Sequence, residues 1–251
     1  MSMDDDSNHR FSDTLPLAIV TGAGRRVGRL IALHLAVRGY AIALHYHNSQ
    51  DEAEKTAGEI SRLGVPVYPV KADLTIPAQV ESMFAAIDGF PHRLTLLVNS
   101  AALMTPSNLL TMNVDDWNQV FDLNTRAVWL CSRAAASRLT LGGLILNLSD
   151  VGARKNWTRY GGYVVSKAAL ESLTRVLARQ LAPRVRVCAI APGLLMQAVG
   201  QSAEEWERLV DKVPLRRPAD PIELLSAIDF LIDNHYITGE VINLAGGYQL
   251  V

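Results

Sequence analysis

Two side chains that can move a proton lie four residues apart in the segment from Asp150 to Lys167. Tyr163 carries a phenol, and Lys167 carries an ammonium group. Residues at positions i and i+4 of a helix lie on the same face, so a helix would bring these groups together. A phenol has a pKa of about 10, and a neighbouring cation favours the phenolate and lowers that pKa. If the shared face borders a cleft, the pair predicts a proton donor. The same spacing occurs on amphipathic helices without any chemical role.

A glycine-rich turn near the start of the chain is a second, independent feature. The apolar run 17–20 is typical of a buried parallel strand, and Gly22, Gly24 and Gly28 follow it. Glycine permits a positive φ and lets the backbone approach a ligand closely. The free N–H groups at the amino end of the next helix bind phosphate well. A strand, a glycine turn and a helix in this order indicate a dinucleotide site.

Strands and helices alternate along the remainder of the chain. Short apolar segments predict seven strands, at residues 15–20, 41–46, 65–70, 94–98, 143–148, 185–190 and 240–244. The segments between them predict helices at 26–38, 51–63, 76–87, 114–138, 160–181 and 221–232, with a loop and short helix at 194–213. Alternation of this kind implies a mostly parallel sheet with helices on both faces. We predict a single-domain, doubly wound α/β Rossmann fold over residues 15–251, preceded by a disordered tail over residues 1–14.

Composition narrows the class of protein further. A chain of 251 residues suits one domain with a sizeable core. A net charge of −1 with interspersed charges gives no patch for nucleic acid, and no apolar run reaches the length of a membrane span. Cys131 and Cys188 lie among apolar residues and predict buried free thiols. The acidic start of the chain lacks a secretion signal, so we expect a cytoplasmic protein that acts on a small molecule and has no metal site.

Five motifs, in their order, resemble the short-chain dehydrogenase/reductase family. They are the turn from Thr21 to Gly28, the segment Asn99-Ser100-Ala101-Ala102, Asn124, the pair Tyr163 and Lys167, and the pair Pro192 and Gly193. The resemblance covers nearly all of the chain after about Leu15. It implies a nicotinamide-dependent oxidoreductase in which Asn124, Tyr163 and Lys167 are catalytic. It also implies that the helices at 114–138 and 160–181 form the interface of a homo-oligomer, for which we expect a tetramer.

The end of the second strand indicates which nicotinamide cofactor is used. An acidic residue at this place binds the ribose 2′-OH of NAD, whereas basic groups accommodate the phosphate of NADP. The chain has no carboxylate there and has His47, Asn48 and Ser49 instead. Arg25 and Arg26 lie in the glycine turn, close to the same place in this architecture. We therefore predict NADPH, although both arginines could simply be solvated surface residues.

Two positions resemble the pteridine reductase branch of this family. Arg26 occupies a place where most members have glycine, and Asp150 occupies the place of the usual serine, thirteen residues before Tyr163. The resemblance implies a catalytic trio of Asp150, Tyr163 and Lys167 and the reduction of a dihydropterin or dihydrofolate. A carboxyl group can pass a proton to a ring nitrogen or bond an amino-pyrimidine edge. Ser149 remains an alternative for the third catalytic position, because a shift of one residue would restore the serine.

The segment after the fourth strand favours a different substrate. The pteridine reductases have an aromatic residue at the place of Met104 and a serine at the place of Ala102. Methionine can pack on a flat substrate ring but selects such a ring less strongly than an aromatic side chain does. Trp157 could supply an aromatic ring instead. A carbonyl or 3-oxoacyl thioester reductase that uses NADPH is therefore the alternative function. A non-catalytic nucleotide-binding protein is a third, which the retention of Asn124, Tyr163 and Lys167 disfavours.

The resemblance gives three sets of predicted site residues. The catalytic set is Asn124, Asp150, Tyr163 and Lys167. The cofactor contacts are Tyr163 and Lys167 together with Gly22, Gly24, Arg25, Arg26, Val27, Gly28, His47, Asn48, Ser49, Asp73, Leu74, Asn99, Ser100, Ala101, Pro192, Gly193 and Leu194. The substrate contacts are Met104, Trp157, Leu195 and Met196.

Overall fold

A seven-stranded sheet organises the chain in the computed structural model, which describes residues 14–198 and 200–251. The strand order is β3-β2-β1-β4-β5-β6-β7, and all neighbouring pairs are parallel. The strands are β1 (Pro16–Val20), β2 (Ala41–Tyr46), β3 (Val67–Lys71), β4 (Arg93–Asn99), β5 (Gly143–Leu148), β6 (Val185–Pro192) and β7 (Val241–Leu244). The predicted Rossmann fold is confirmed. The tail predicted over residues 1–14 lies, except for Thr14, outside the described residues.

Helices connect the strands and cover both faces of the sheet. They are α1 (Arg26–Val37), α2 (Gln50–Arg62), α3 (Pro77–Ile87), α4 (Val114–Phe121), α5 (Ala127–Ala136), α6 (Gly152–Lys155), α7 (Gly161–Leu181), α8 (Ala203–Val210) and α9 (Pro221–Asp233). A short 3₁₀ turn follows at Tyr248–Leu250. In the described ranges, no helix combines the length and the apolar character needed to cross a membrane.

Alternate residues of each inner strand enter two separate hydrophobic cores. In β1, Leu17 and Ile19 pack on the side of α3, α5 and α7, and Ala18 and Val20 pack on the side of α1, α2 and α9. Successive side chains of a strand point to opposite faces, so a strand that is covered on both faces must be apolar throughout. This explains why the inner strands appear in the sequence as continuous apolar runs.

The helix predicted over residues 114–138 is interrupted. Asp122–Arg126 forms a π-helical segment between α4 and α5. Such a segment carries one extra residue per turn and is frequent at functional sites. It contains Asn124, which is buried. The apolar pattern continues through the interruption, so the sequence pattern alone predicts an unbroken helix.

The order of the strands places the site. The chain moves from β1 outward to β3 and then returns to β4, which pairs with β1 on the other side. Ligands of such sheets bind outside the carboxyl ends of the strands where this reversal occurs. The glycine turn after β1 and the segments after β4, β5 and β6 therefore meet at one edge of the sheet.

Candidate active site

Helix α7 contacts the segment that follows β5 through its two predicted catalytic side chains. The Tyr163 hydroxyl donates to Oδ2 of Asp150 at 2.9 Å, and Lys167 Nζ donates to the carbonyl oxygen of Leu148 at 2.6 Å. Tyr163 is 5% exposed and Lys167 is 3% exposed. The spacing of four residues therefore brings both groups to one buried face of the helix, as predicted.

Two glycines let the amino end of α7 approach the segment after β4. A Cβ at Gly161 would overlap the side chain of Leu109, and a Cβ at Gly162 would lie 3.0 Å from Cε of Met112. The Gly162 N–H also donates to Oγ of Ser107 at 3.2 Å. This close packing fixes the start of the helix, and with it the position of Tyr163.

Backbone and side-chain contacts hold Asp150 rigidly. Its Oδ1 accepts from the Gly152 N–H at 2.7 Å, as in an Asx turn, which leaves Oδ2 for Tyr163. The N–H groups of Ser149 and Val151 donate to carbonyl oxygens of β6, to Ile190 at 2.8 Å and to Pro192 at 2.9 Å. The pairing of β5 with β6 thus continues past the end of β5, and Asp150 lies between two backbone bonds.

The Ser149 side chain faces away from the phenol. Its hydroxyl donates to Oε1 of Glu171 at 3.1 Å, and Glu171 is a buried residue one turn beyond Lys167 on α7. In this arrangement Asp150, and not Ser149, contacts Tyr163.

Burial shifts the pKa values of all three groups. It raises the pKa of Asp150 above its usual range and lowers the pKa of Lys167 to about 8. Burial, and then the Asp150 carboxylate, raise the pKa of Tyr163 well above 10. The prediction that Lys167 lowers the pKa of Tyr163 is therefore wrong for this state of the protein. Lys167 Nζ lies 5.8 Å from the centre of the phenol ring and donates to a carbonyl instead, so the phenol keeps its proton.

Asn124 acts as a bridge between two parts of the site. Its Oδ1 accepts from the Leu103 N–H at 2.8 Å, and its Nδ2 donates to the Leu103 carbonyl at 2.9 Å and to Oγ of Ser166 at 3.0 Å. Ser166 in turn donates to the Tyr163 carbonyl at 2.6 Å. The contacts of Asn124 thus join the segment after β4 to the backbone of α7, and its side chain reaches Tyr163 only through Ser166.

The glycine turn has the close packing that its sequence predicts. Gly22 has a φ of +65°, and a Cβ there would lie 3.0 Å from Cα of Ala101. A Cβ at Gly28 would overlap the carbonyl oxygen of Gly22. Oγ1 of Thr21 accepts from the N–H groups of Ser100 at 2.9 Å and Ala101 at 3.1 Å. The segments after β1 and β4 are therefore locked together.

The amino end of α1 fits a phosphate group. In the described part of the chain, no side chain caps this end, and no acidic residue lies in its first turn. The first N–H groups of a helix have no partner within the helix, so they are available to an anion. The glycine turn and this helix end together fit the pyrophosphate of a dinucleotide.

A buried histidine supports the turn and is absent from the predicted site residues. Nδ1 of His45 accepts from the Gly22 N–H at 3.0 Å, and its Nε2 lies 3.0 Å from the Ala72 carbonyl oxygen. These partners assign the neutral ring, with the proton on Nε2. Burial lowers the pKa of His45 to about 4, which keeps the ring neutral. β2 is buried on both faces as far as His45, so a polar residue within this apolar strand is the signal that could have identified it.

Two of the three basic residues expected at the 2′-phosphate, Arg26 and His47, lie in different directions. His47 follows β2, and its Nε2 is 3.9 Å from Oδ2 of Asp73. Arg26 has a φ of +50°, and its Nη2 donates to the carbonyl oxygen of Gln197, which follows β6. Because β2 and β6 lie on opposite sides of β1 in the sheet, Arg26 does not join His47. Asn48 and Ser49 adjoin His47, and Ser49 Oγ would lie 3.1 Å from a Cβ at Gly24.

Several other predicted cofactor residues have structural contacts. Leu74 is buried in the core on the α5 side, so it can offer a ligand only its backbone. Val27 packs against the opposite core. Asn99 is buried, and its Nδ2 donates to Oδ1 of Asn147 at 2.9 Å. The Gly193 N–H donates to the backbone of β7 at 2.9 Å.

The predicted substrate contacts differ in exposure. Met104 is 45% exposed and Met196 is 37% exposed, whereas Leu195 packs against the core on the α1 side. Trp157 is half-buried, and its ring lies 6.2 Å from that of Tyr248. Burial, and then the Asp150 carboxylate, raise the pKa of Tyr248, so this residue also belongs to the surroundings of Asp150. No motif marks Tyr248 in the sequence.

The chain is similar to proteins of known family. A family model described as Enoyl-(Acyl carrier protein) reductase matches residues 22–249. The 3-oxoacyl-[acyl-carrier-protein] reductase FabG of Staphylococcus aureus is 33% identical over 240 residues, which cover 93% of this chain and 98% of the relative. An NADPH-dependent aldehyde reductase-like protein of Arabidopsis thaliana is 32% identical and covers 92% of this chain and 93% of its own length.

Solved structures agree with these matches. FolM alternative dihydrofolate reductase 1 from Brucella suis, in complex with NADP, has a TM-score of 0.88 and 32% identity, covering 94% of this chain and 96% of its own. The angucycline C-6 ketoreductase LanV with bound NADP has a TM-score of 0.87 and 30% identity, with the same coverage of 94% and 96%. The similar proteins thus include a dihydrofolate reductase and a reductase of ketones.

Proposed function

The chain belongs to the short-chain dehydrogenase/reductase family, and from this premise we propose that it is an NADPH-dependent reductase of a dihydropterin or dihydrofolate. The observation that carries the proposal is the 2.9 Å contact between the Tyr163 hydroxyl and Oδ2 of Asp150, with Ser149 turned away toward Glu171. A carboxyl beside the phenol suits protonation of a ring nitrogen. A serine hydroxyl in this place would suit a carbonyl oxygen, to which it can donate.

The residues divide the proton chemistry between them. Bound NADPH would supply a hydride to the carbon of the C=N bond, and the chain must then deliver one proton to the nitrogen. Tyr163 holds that proton, because burial and Asp150 raise its pKa well above 10. Asp150, whose own pKa burial raises, can pass a proton to the phenol or bond the amino-pyrimidine edge of the ring. Lys167 remains anchored beside them on the Leu148 carbonyl.

The cofactor assignment has support from the turn and from β2. The turn after β1 and the amino end of α1 offer N–H groups to the pyrophosphate, and His45 holds that turn in place. No carboxylate ends β2, where His47, Asn48 and Ser49 follow instead. These side chains suit the 2′-phosphate of NADPH better than the free ribose hydroxyl of NADH. Both FolM and LanV were solved with NADP.

The second candidate function is reduction of a ketone or 3-oxoacyl thioester with NADPH. Met104, which is 45% exposed, occupies the loop where a pterin would need a flat aromatic partner. FabG and LanV, both reductases of carbonyl compounds by name, are as similar to this chain as FolM is.

NADPH oxidation against a panel of substrates separates these functions. The panel contains dihydrobiopterin, dihydrofolate, a 3-oxoacyl thioester and an activated ketone, each measured for kcat/KM with NADPH and with NADH. The proposal predicts the highest kcat/KM for a dihydropterin or dihydrofolate, and with NADPH. Turnover of the thioester or ketone without turnover of either pteridine would establish the second candidate instead.

A further inference from the structure

A buried carboxyl group on α7 has no part in the proposed chemistry. Tyr163, Lys167 and Glu171 are spaced four residues apart on one face of the helix. Each bonds to the segment from Leu148 to Asp150: Tyr163 to Asp150, Lys167 to the Leu148 carbonyl and Glu171 to Ser149. Glu171 is therefore the third of three contacts that align this segment with the helix.

The burial of Glu171 needs a physical reason. The residue is 5% exposed, and a buried carboxyl is unfavourable unless it is paired and hydrogen-bonded. Its Oε1 accepts from Ser149 Oγ at 3.1 Å, and its Oε2 lies 3.3 Å from Nη2 of Arg154 on α6. The Arg154 side chain is itself 36% exposed, so solvent screens this ion pair. The pairing with Arg154 alone is a weak reason to keep a carboxyl here.

The contact with Ser149 has a direct consequence for the catalytic position. A serine hydroxyl can donate one hydrogen bond, and that of Ser149 donates to Glu171. The backbone bonds on either side of Asp150 fix the main chain, so only side-chain rotation could bring Ser149 toward the phenol. In the observed arrangement the Ser149 hydroxyl bonds to Glu171, and Asp150 is the partner of Tyr163.

We propose that Glu171 is a positioning residue that holds Ser149 away from Tyr163 and thereby sets a preference for protonating a ring nitrogen over a carbonyl oxygen. This inference rests on the proposed function. Glu171 acts through Ser149, since its side-chain hydrogen bonds go to Ser149 and Arg154.

The test compares Glu171→Gln, Glu171→Leu and the double variant Glu171→Leu with Ser149→Ala. Each is assayed for kcat and KM on one dihydropterin and one activated ketone, for NADPH affinity by fluorescence titration and for Tm. Glutamine keeps an acceptor for Ser149, so Glu171→Gln should retain its preference for the pterin. Glu171→Leu frees the Ser149 hydroxyl and should raise the ratio of ketone to pterin turnover by about 10–100-fold, the range that a misplaced group causes. NADPH affinity should change by less than about twofold, because the loss lies in kcat.

The double variant decides whether the effect runs through Ser149. Removing the freed hydroxyl should return the substrate ratio to the wild-type value, which a general weakening of the core would not do. Asp229→Leu is the stability control, because it removes the ion pairs with His34 and Arg38 at the far end of α1. It should lower Tm without changing the ratio.

Two results would overturn the inference. One is an equal loss on both substrates in Glu171→Leu, and the other is an altered ratio that Ser149→Ala does not reverse. A wild-type enzyme that reduces only the ketone would refute the proposed function separately. In that case a rise in ketone turnover in Glu171→Leu that is absent from the double variant would still support the claim that Glu171 restrains Ser149. No rise would reject that claim.

Discussion

Replacing Lys167 with methionine is expected to stabilise the protein near neutral pH while it removes activity. Lys167 is 3% exposed, and burial lowers its pKa from 10.5 to about 8. One pKa unit corresponds to about 1.4 kcal/mol, so the charged form is disfavoured in the folded state by about 3 kcal/mol. Methionine has a similar length and no charge, but it leaves the Leu148 carbonyl without its donor, at a cost of about 1 kcal/mol. The expected net gain at pH 7 is about 2 kcal/mol.

The pH dependence of this gain has a definite sign. Above the unfolded-state pKa of 10.5, Lys167 is neutral in both states and costs the folded protein no stability. Because the folded-state pKa is depressed, stability is lost as the pH falls from 10.5 through about 8, where the cost of burying the charge is complete. The advantage of Lys167→Met should therefore be full below about pH 8 and shrink through the interval up to 10.5. Above that interval the variant should be less stable than the wild type, since only the lost hydrogen bond then remains.

Urea unfolding of the cofactor-free protein at a series of pH values measures this difference. Lys71→Met, at an exposed position at the end of β3, is the matched control and should show no such trend. A Lys167→Met variant that is less stable than the wild type at neutral pH would show that the buried Lys167 ammonium does not destabilise the folded protein. So would a difference that stays constant with pH.

Three further predictions concern the phenol, the cofactor and assembly. Tyr163→Phe should lower kcat by about 10²–10⁴-fold on every substrate while NADPH fluorescence titration stays unchanged; a near wild-type kcat would exclude Tyr163 as the donor. His47→Ala should weaken the binding of NADPH by about 1.5–3 kcal/mol, or one to two decades in KM, and leave the binding of NADH unaffected. An equal loss for both cofactors would count against a 2′-phosphate contact. Light scattering should show a tetramer at micromolar concentration, because Trp129, Val165 and Val176 leave apolar surface exposed on α5 and α7; a monomer would remove this prediction.

The strands and most helices can be predicted from the sequence because local patterns determine them. Apolar runs between turn residues define β2 and β5 with their observed bounds, Ala41–Tyr46 and Gly143–Leu148. The π-helical segment 122–126 cannot be predicted in this way. Its buried Asn124 bonds to Leu103 and Ser166, which lie 21 residues before it and 42 after it, and such contacts have no trace in local periodicity.

The sequence predicts which residues form the site better than it predicts their pKa values. The spacing of Tyr163 and Lys167 and the place of Asp150 follow from the sequence. The pKa shifts of these groups depend on how deeply the fold buries them, and the sequence pattern leaves that depth open. The contact of Ser149 with Glu171 likewise requires the packing of α7 on β5, so the choice between Ser149 and Asp150 stays open until the structure is considered.

The role of Asp150 is tested by comparing Asp150→Ser with Ser149→Ala on one dihydropterin and one activated ketone. If Asp150 works with Tyr163 in pteridine reduction, Asp150→Ser should lower kcat/KM for the dihydropterin by about 10²–10⁴-fold. Ketone reduction by the same variant should survive or increase, and Ser149→Ala should have the smaller effect on the dihydropterin. The opposite pattern, with Asp150→Ser nearly neutral and Ser149→Ala damaging on the ketone, would exclude Asp150 as the partner of Tyr163 in pteridine reduction and identify a carbonyl reductase.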